Sequence, residues 1–244
     1  MIKNLKLGHL KISQGTEKKL VEDVLNNIKI KKKTGCIPLN VTKYCMAMND
    51  IKLADSIKGC NLVIADGLPI AWLAKRLGLL GVNRITGVDF SESLICRASN
   101  ENLKLYFLGS TQDNLDIAMK NIISRFSHPK IVGSQNGYFS DNDIPLIIQD
   151  INKSKPDILF IGLGLPQKEY FLLDHMDKLD VNFFITVGGA IDIWAGAKKR
   201  APLMIQKVGM EWLYRSLYDL SRAHLIIRHG FSFLKDFIFL NRKI

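Results

Sequence analysis

The sequence predicts an α/β fold in which helices cover both faces of a mostly parallel β-sheet. Short apolar runs rich in branched residues alternate with longer amphipathic segments of helical periodicity. The runs are apolar throughout, as is typical of parallel strands buried on both faces. Of the 244 residues, 47% are hydrophobic, which is enough for a large core. In chain order, the predicted strands are CIPLNV, NLVIAD, KLYFLGS, KIVGSQ, DILFIGLG and NFFITVGG.

Polar residues or glycines stand where five of these strands end, namely Asn40, Asp66, Gly109, Gly162 and Gly188. In open parallel sheets, ligands bind beyond the carboxyl ends of the strands. We therefore expect the functional site at this edge of the sheet.

The last part of the chain has a different composition, which divides it into a core, residues 1–195, and an appendage, residues 196–244. The appendage carries ten Lys and Arg against three acids, a net +7 of the chain's +11. Arg215 and Arg222, with Arg228 beyond them, recur on one helical face among apolar and aromatic residues. This pattern favours an amphipathic helix that docks on an anionic membrane surface.

The net charge indicates the class of partner, and the cysteines indicate the cellular compartment. A pI near 9.5 indicates an anionic partner, which is a nucleic acid, a membrane surface or a phosphorylated substrate. The leucine, isoleucine and phenylalanine residues of the appendage favour lipid over nucleic acid. Four cysteines without a CxxC pair indicate free thiols, and the first residues lack the apolar run of a signal peptide. We expect a cytoplasmic protein.

Asp66, in the stretch VIADGLPIAW, has two interpretations. It is well placed to cap the following helix, whose first turn Pro69 suits. Alternatively, partial desolvation raises its pKa and makes it a general base, and Gly67 gives a ligand room beside the backbone.

Two glycine turns follow later strands. Gly162 and Gly164 begin a dinucleotide fingerprint, but Gln167 occupies the third glycine position, so a nicotinamide site is poorly supported. A glycine turn that opens onto a helix still suits a diphosphate, although a tight turn alone also requires glycine. Gly188 and Gly189 form the second turn.

Two acidic motifs remain. Asp192 suits a ribose or a base as a hydrogen-bond acceptor, or it caps a helix or pairs with Lys198 or Arg200. Asp141 and Asp143 form a DxD pair, whose context favours a solvated turn over a metal site. The sequence shows no histidine cluster, so we expect no metal and no cofactor.

Taken together and in order, eight stretches resemble the WecG/TagA/CpsF glycosyltransferases. They are LNV, LVIADGLPIAW, NRITGVDF, YFLGS, IVGSQNGYF, PDILFIGLGLPQKE, VGGAIDIWAGAKKRAP and GMEWLYRSLYDLSR. The resemblance implies a Rossmann-like core and an inverting, metal-independent transfer of a sugar from a UDP-sugar to a polyprenyl-diphosphate-linked acceptor. It further implies peripheral attachment to the inner face of a bacterial membrane, and it leaves a homo-oligomer open.

The resemblance also implies site residues. Asp66 is the general base, with Asn40, Arg215 and Arg222 as further catalytic residues. The expected substrate-binding residues are Gly67, Gly109, Gly137, Tyr138, Gly162, Gly164, Gln167, Lys168, Gly188, Gly189 and Asp192. The alternatives are a nicotinamide-dependent oxidoreductase and a nucleic-acid-binding module.

This chain departs from the family pattern at three places. Pro38 stands where the family often has threonine, and Leu225 stands where a third appendage arginine is often found. Lys168 occupies the position of the family's glutamine, with Gln167 one residue earlier. These departures raise the question of which side chain, Gln167 or Lys168, faces the substrate.

Overall fold

The computed structural model describes residues 1–202, 204–205, 214, 230 and 232–238. A six-stranded parallel sheet forms the centre, with strand order β4-β3-β8-β7-β5-β6. The strands are β3 (Thr34–Leu39), β4 (Leu62–Ala65), β5 (Lys104–Gly109), β6 (Lys130–Gln135), β7 (Ile158–Gly162) and β8 (Phe183–Thr186). The predicted α/β fold is confirmed. Five of the strands lie within their predicted runs, and β3 begins at Thr34, two residues before the predicted run.

A two-stranded antiparallel hairpin, β1 (Lys3–Leu7) and β2 (Leu10–Gln14), precedes the sheet and was not predicted. Its residues Leu7, Leu10 and Ile12 are buried. The backbone N–H of Val63 in β4 donates to Ser13 Oγ at 2.8 Å, so the hairpin covers the edge strand β4.

Helices cover both faces of the sheet, as predicted. One face carries α1 (Glu17–Lys29), α5 (Gly87–Asn100), α6 (Gln112–Arg125) and α9 (Ala190–Trp194). The other carries α2 (Val41–Met46), α3 (Ile51–Gly59), α4 (Leu68–Arg76), α7 (Ile144–Ser154) and α8 (Gln167–His175). Strand side chains alternate between the two layers, since Phe160 packs with the first set and Leu159 with the second.

The connections create a crevice at one point of the sheet. From β5 the chain passes through α6 to β6, whereas from β7 it passes through α8 to β8 in the opposite direction. Because α6 and α8 cover opposite faces, the loops after β5 and β7 diverge. Such a topological switch point is where open α/β sheets bind ligands.

Residues 232–238 of the appendage are helical and pack on the core. The ring of Phe233 lies edge-on to Tyr44 in α2, with 5.8 Å between the centroids. Arg76 at the end of α4 donates through Nη2 to the carbonyl of Ile238 at 2.8 Å. This segment therefore bridges α2 and α4. Over the part of the chain that the structure describes, no helix is long and apolar enough to cross a membrane.

Candidate active site

The carboxyl ends of the strands form one edge, and many of the predicted site residues lie along it. In spatial order, the edge carries Asp66, Asn40, Gly188, Gly162, Gly109 and Gly137. Neighbouring strands are about 4.8 Å apart, so β4 and β7, three spacings apart, place Asp66 and Gly162 on strands about 14 Å apart. An elongated ligand can thus contact both ends of this edge.

Asp66 does not cap the helix that follows it. Gly67 is the N-cap residue of α4, with φ +101°, and the N-cap position has no side-chain hydrogen bond. Instead, Asp66 Oδ1 accepts a hydrogen bond from the backbone N–H of Gly87, at 3.3 Å, in the first turn of α5. The capping interpretation is wrong for α4, because the chain turns at Gly67 and directs the carboxylate towards α5. The side chain of Asp66 is half-buried.

Asn40 ends the neighbouring strand β3 and is the N-cap residue of α2. Its Oδ1 accepts a hydrogen bond from the N–H of Lys43 at 3.0 Å. The N–H of Asp66 donates to the carbonyl of Leu39 at 2.9 Å, which ties the two strand ends together. Asn40 and Asp66 therefore form one fixed unit at the β3 and β4 side of the edge.

Two arginines lie beside this unit. Arg84 was not among the predicted site residues, and Arg200, expected as one of two alternative partners of Asp192, pairs with Asp89 instead. Arg200 Nη2 donates to Asp89 Oδ1 in the first turn of α5 at 2.8 Å. Arg84 forms an isolated parallel bridge with Ala65, one residue before Asp66. Its Nε is buried and has no hydrogen-bond partner among the described residues. Two arginines and two carboxylates, Asp66 and Asp89, therefore meet at this end of the edge, which local sequence patterns did not reveal because the residues are far apart in the chain.

Glycines form the floor of the crevice between β5 and β7. A Cβ on Gly109 would lie 2.4 Å from the carbonyl oxygen of Gly162, and Gly109 has φ +139°. A Cβ on Gly137 would lie 3.0 Å from the Cα of Gly109. A Cβ on Gly162 would come within 3.3 Å of the carbonyl oxygen of Gly188. Backbone atoms of four turns therefore lie close together here, with the side chains of Ile191 and Leu163 packed against Gly162 and Gly137.

Asp192 stands beside this crevice. It accepts hydrogen bonds from Ser110 Oγ and Lys198 Nζ, so the expected pairing with Lys198 is confirmed, and the N-cap of α9 is Gly189 instead. Burial alone would raise the pKa of Asp192, but the hydrogen bonds from Lys198 and Ser110 outweigh it and hold the pKa below its ordinary value. Asp192 is therefore a charged acceptor that anchors the turn after β5.

The structure separates the roles of Gln167 and Lys168, which begin α8. Gln167 is exposed, and a Cβ on Gly164 would lie 2.8 Å from its Oε1. Lys168 is 4% exposed, and its Cε lies 3.7 Å from the position of a Cβ on Gly188. Lys168, not Gln167, therefore points into the middle of the edge.

A buried cluster of charges lies beneath this point and was not predicted. Lys43 Nζ lies 2.9 Å from Glu169 Oε1, and Lys168 Nζ lies 3.3 Å from Glu169 Oε2. Lys43 Nζ also donates to the carbonyl of Pro38 at 2.7 Å. Only Gln167 and Lys168 of the PQKE stretch were considered from the sequence, and nothing local indicated that Glu169 would be buried against Lys43.

The remaining predictions have mixed outcomes. Tyr138 is 77% exposed and lines a groove of about 390 Å³ beside α7, away from Asp66. Asp141 and Asp143 form the expected turn, a short 3₁₀ helix in which Ser140 and Asp143 hydrogen-bond each other. Arg215 and Arg222, with Leu225 and Arg228, lie outside the described residues. Within the described ranges, no group of three His, Cys, Asp or Glu is arranged to hold a metal.

Comparison with known proteins agrees with the motifs. The sequence matches the glycosyl transferase WecG/TagA/CpsF family over residues 5–242. Two similar proteins, from Staphylococcus aureus strains NCTC 8325 / PS 47 and COL, are each named N-acetylglucosaminyldiphosphoundecaprenol N-acetyl-beta-D-mannosaminyltransferase. Each is 29% identical over 166 residues, which cover 68% of this chain and 65% of the relative. The match thus spans just under two thirds of those relatives. Because the family match extends over nearly the whole sequence, the chain belongs to the WecG/TagA/CpsF family of glycosyl transferases.

Proposed function

We propose that this protein transfers N-acetylmannosamine, or a related hexose, from a UDP-sugar to a polyprenyl-diphosphate-linked saccharide. The product would enter a cell-surface polysaccharide or teichoic acid. Family membership and the names of the Staphylococcus aureus relatives support the reaction class and the acceptor. The observation that carries the proposal is the shared edge, which has a carboxylate at one end and a glycine crevice at the other.

The crevice suits the nucleotide half of the donor. Gly137 and Gly162 are partly exposed and carry no side chain, so a flat, polar ligand would lie against the backbone there. Lys198 is half-exposed beside Asp192 and supplies a cation at its rim. With the nucleotide here, the diphosphate would extend along the edge towards Asn40 and Asp66.

At the other end, Asp66 would act as the general base. In this proposal, it takes the proton of the acceptor hydroxyl, and the acceptor oxygen bonds to the anomeric carbon from the face opposite the leaving UDP. The bond between the anomeric carbon and the phosphate oxygen breaks, so the configuration inverts. The hydrogen bond from Gly87 fixes the rotation of the Asp66 carboxylate, which favours one attack direction.

Charge on the departing diphosphate would be offset by protein cations and not by a metal ion. Arg84 and Arg200 lie beside Asp66, and the resemblance adds Arg215 and Arg222 from the appendage. Addition of a chelator should therefore leave the rate unchanged.

We further propose that the protein attaches peripherally to an anionic membrane, where its lipid-linked acceptor lies. Residues 232–238, the turn after α2 and helix α4 expose several apolar side chains, namely Met48, Trp72, Leu234 and Ile238. Lys75 and Lys235 lie on the same elements, so apolar and cationic groups are combined as on membrane-binding surfaces.

The test is transfer by Asp66→Asn, measured as released UDP with UDP-N-acetylmannosamine and a short-chain polyprenyl-diphosphate-linked N-acetylglucosamine. Because loss of a general base costs about 10²- to 10⁴-fold, we expect a rate reduced to that extent with unchanged affinity for UDP. Asp55→Asn, which neutralises an exposed carboxylate on α3, is the control and should keep full activity. Near-normal turnover by Asp66→Asn would remove Asp66 from this role, and no UDP release from any UDP-sugar would refute the proposed function.

A further inference from the structure

The buried cluster Lys43, Glu169 and Lys168 has a charge pattern that is unusual for a core. The side chains of Lys43 and Lys168 are each 5% exposed and that of Glu169 is fully buried. The cluster contains two ammonium groups and one carboxylate, so its own charges sum to +1. Burying charge is costly, and apolar side chains of similar volume would fill the same space at lower cost, so three charged groups buried in contact indicate a role beyond packing.

The position of the cluster relates it to the donor. Lys43 reaches the carbonyl of Pro38 near the end of β3, and Lys168 passes the Gly188 turn after β8. Strands β3 and β8 lie between β4, which ends at Asp66, and β7, which leads into the crevice. A diphosphate that joins a nucleotide in the crevice to a sugar at Asp66 must cross this point.

Glu169 contacts both ammonium groups through different oxygens, Oε1 to Lys43 and Oε2 to Lys168. Lys43 is itself fixed by Pro38, so the carboxylate is held from the β3 side. The other oxygen then holds the Lys168 ammonium in one place. The Lys168 side chain is therefore already held in one orientation, so that less conformational entropy is lost when it contacts a ligand.

We infer that Lys168 contacts the diphosphate of the donor and that Glu169, backed by Lys43, is the residue that positions it. The inference rests on the proposed UDP-sugar donor. As the bond between the anomeric carbon and the phosphate oxygen breaks, the electron pair stays on that oxygen. The Lys168 ammonium offsets the new negative charge. In this chain, a cation therefore acts where the family resemblance led us to expect a neutral glutamine.

The first test compares affinity for UDP with affinity for uridine, by titration calorimetry of the full chain. Lys168→Met keeps the buried alkyl stem and leaves Lys43 and Glu169 as a balanced pair, so the fold should persist. We expect its dissociation constant for UDP to rise about 10- to 100-fold, as for loss of a charged hydrogen bond, with uridine affinity unchanged. Lys153→Met, on an exposed residue at the opposite edge, controls for the net charge and should bind both ligands normally.

The second test separates positioning from structural support. Glu169→Gln removes the negative charge, so UDP should bind at least as tightly as in the wild type. Transfer should nevertheless fall about 10-fold or more, because the ammonium is no longer fixed opposite the leaving oxygen. A protein that merely lost packing would instead lose UDP affinity together with thermal stability.

The outcomes are distinguishable. Wild-type protein that fails to bind UDP refutes the proposed donor, and this inference with it. Wild-type binding combined with unchanged UDP affinity in Lys168→Met refutes the inference alone. If Glu169→Gln does not fold, Lys168→Met still decides whether the ammonium contacts the diphosphate, and Lys168→Arg should restore most of the UDP affinity.

Discussion

The contact between Gly109 and Gly162 leads to a quantitative prediction. An alanine Cβ at Gly109 would lie 2.4 Å from the carbonyl oxygen of Gly162, which belongs to the neighbouring strand and cannot rotate away. The backbone of Gly109, at φ +139°, is also unfavourable for an L side chain. Backbone strain of about 1–2 kcal/mol and overpacking of about 1–3 kcal/mol add to about 2–5 kcal/mol of lost unfolding free energy.

Equilibrium unfolding in urea, followed by tryptophan fluorescence and by circular dichroism, measures this loss. Trp194 is a suitable probe because its ring packs edge-on against Phe107, with 6.1 Å between the centroids, two residues from the substitution. For a chain of this size, the melting temperature of Gly109→Ala should fall by about 4–20 °C.

Gly59→Ala is the matched control. Gly59 is the last residue of α3, and an added Cβ would meet nothing within 4 Å. Alanine is favoured over glycine in helices, so this variant should be about 0.5–1 kcal/mol more stable than the wild type. If Gly109→Ala were as stable as Gly59→Ala, the crevice floor would not be the tight backbone contact described here, and the argument for a ligand held against backbone atoms would fail.

Two further predictions concern the rim of the crevice and the membrane. Asp192→Asn should be less stable than the wild type at neutral pH, because the folded carboxylate has a pKa below its ordinary value of 3.8. The difference in unfolding free energy between the wild type and the variant should disappear as the pH falls through that lowered pKa, because Asp192 is then protonated in both the folded and the unfolded wild type. If the difference persisted in acid, lost packing and not lost charge would be its cause. Trp72→Ser, at a side chain that is 54% exposed, should reduce sedimentation with anionic liposomes severalfold and leave the fold intact. Leu80→Ser, at a side chain that is 79% exposed in the turn after α4, is its control, and equal loss in both variants would argue against the proposed membrane face.

The strands and the layers were predictable because they depend on local composition. Ile158 to Ile161 are fully buried on both faces of the sheet, and such a run leaves a clear apolar signal. The hairpin β1 to β2 was missed because each strand has only five residues, and its alternation of polar and apolar side chains was interpreted as scattered charge. Its stability comes from contacts with β4, about fifty residues later, which no local pattern reports.

The candidate site was predictable only in part. Glycines at strand ends gave the crevice, since each one reflects a local backbone requirement. The interpretation of Asp66 as the cap of α4 was wrong, because Gly67 turns the chain at the start of that helix. The backbone N–H that donates to Asp66 belongs to Gly87 in a different helix, α5. The Lys43 and Glu169 pair joins residues far apart in sequence on α2 and α8, so only the tertiary structure brings them together.

The packing of residues 232–238 affects how a shortened protein should be interpreted. Phe233 is 9% exposed against Tyr44, and Arg76 is bonded to Ile238, so this segment braces α2 and α4. Those two helices begin directly after Asn40 and at Leu68, next to Asp66 and Gly67. Truncation before residue 232 would therefore remove a brace from the helices that carry the proposed general base, in addition to removing a membrane-binding surface. If such a truncated chain were inactive, the loss of support for α2 and α4 and the loss of membrane binding could not be separated. Single substitutions at exposed positions leave the packing of residues 232–238 intact, so they test membrane binding alone.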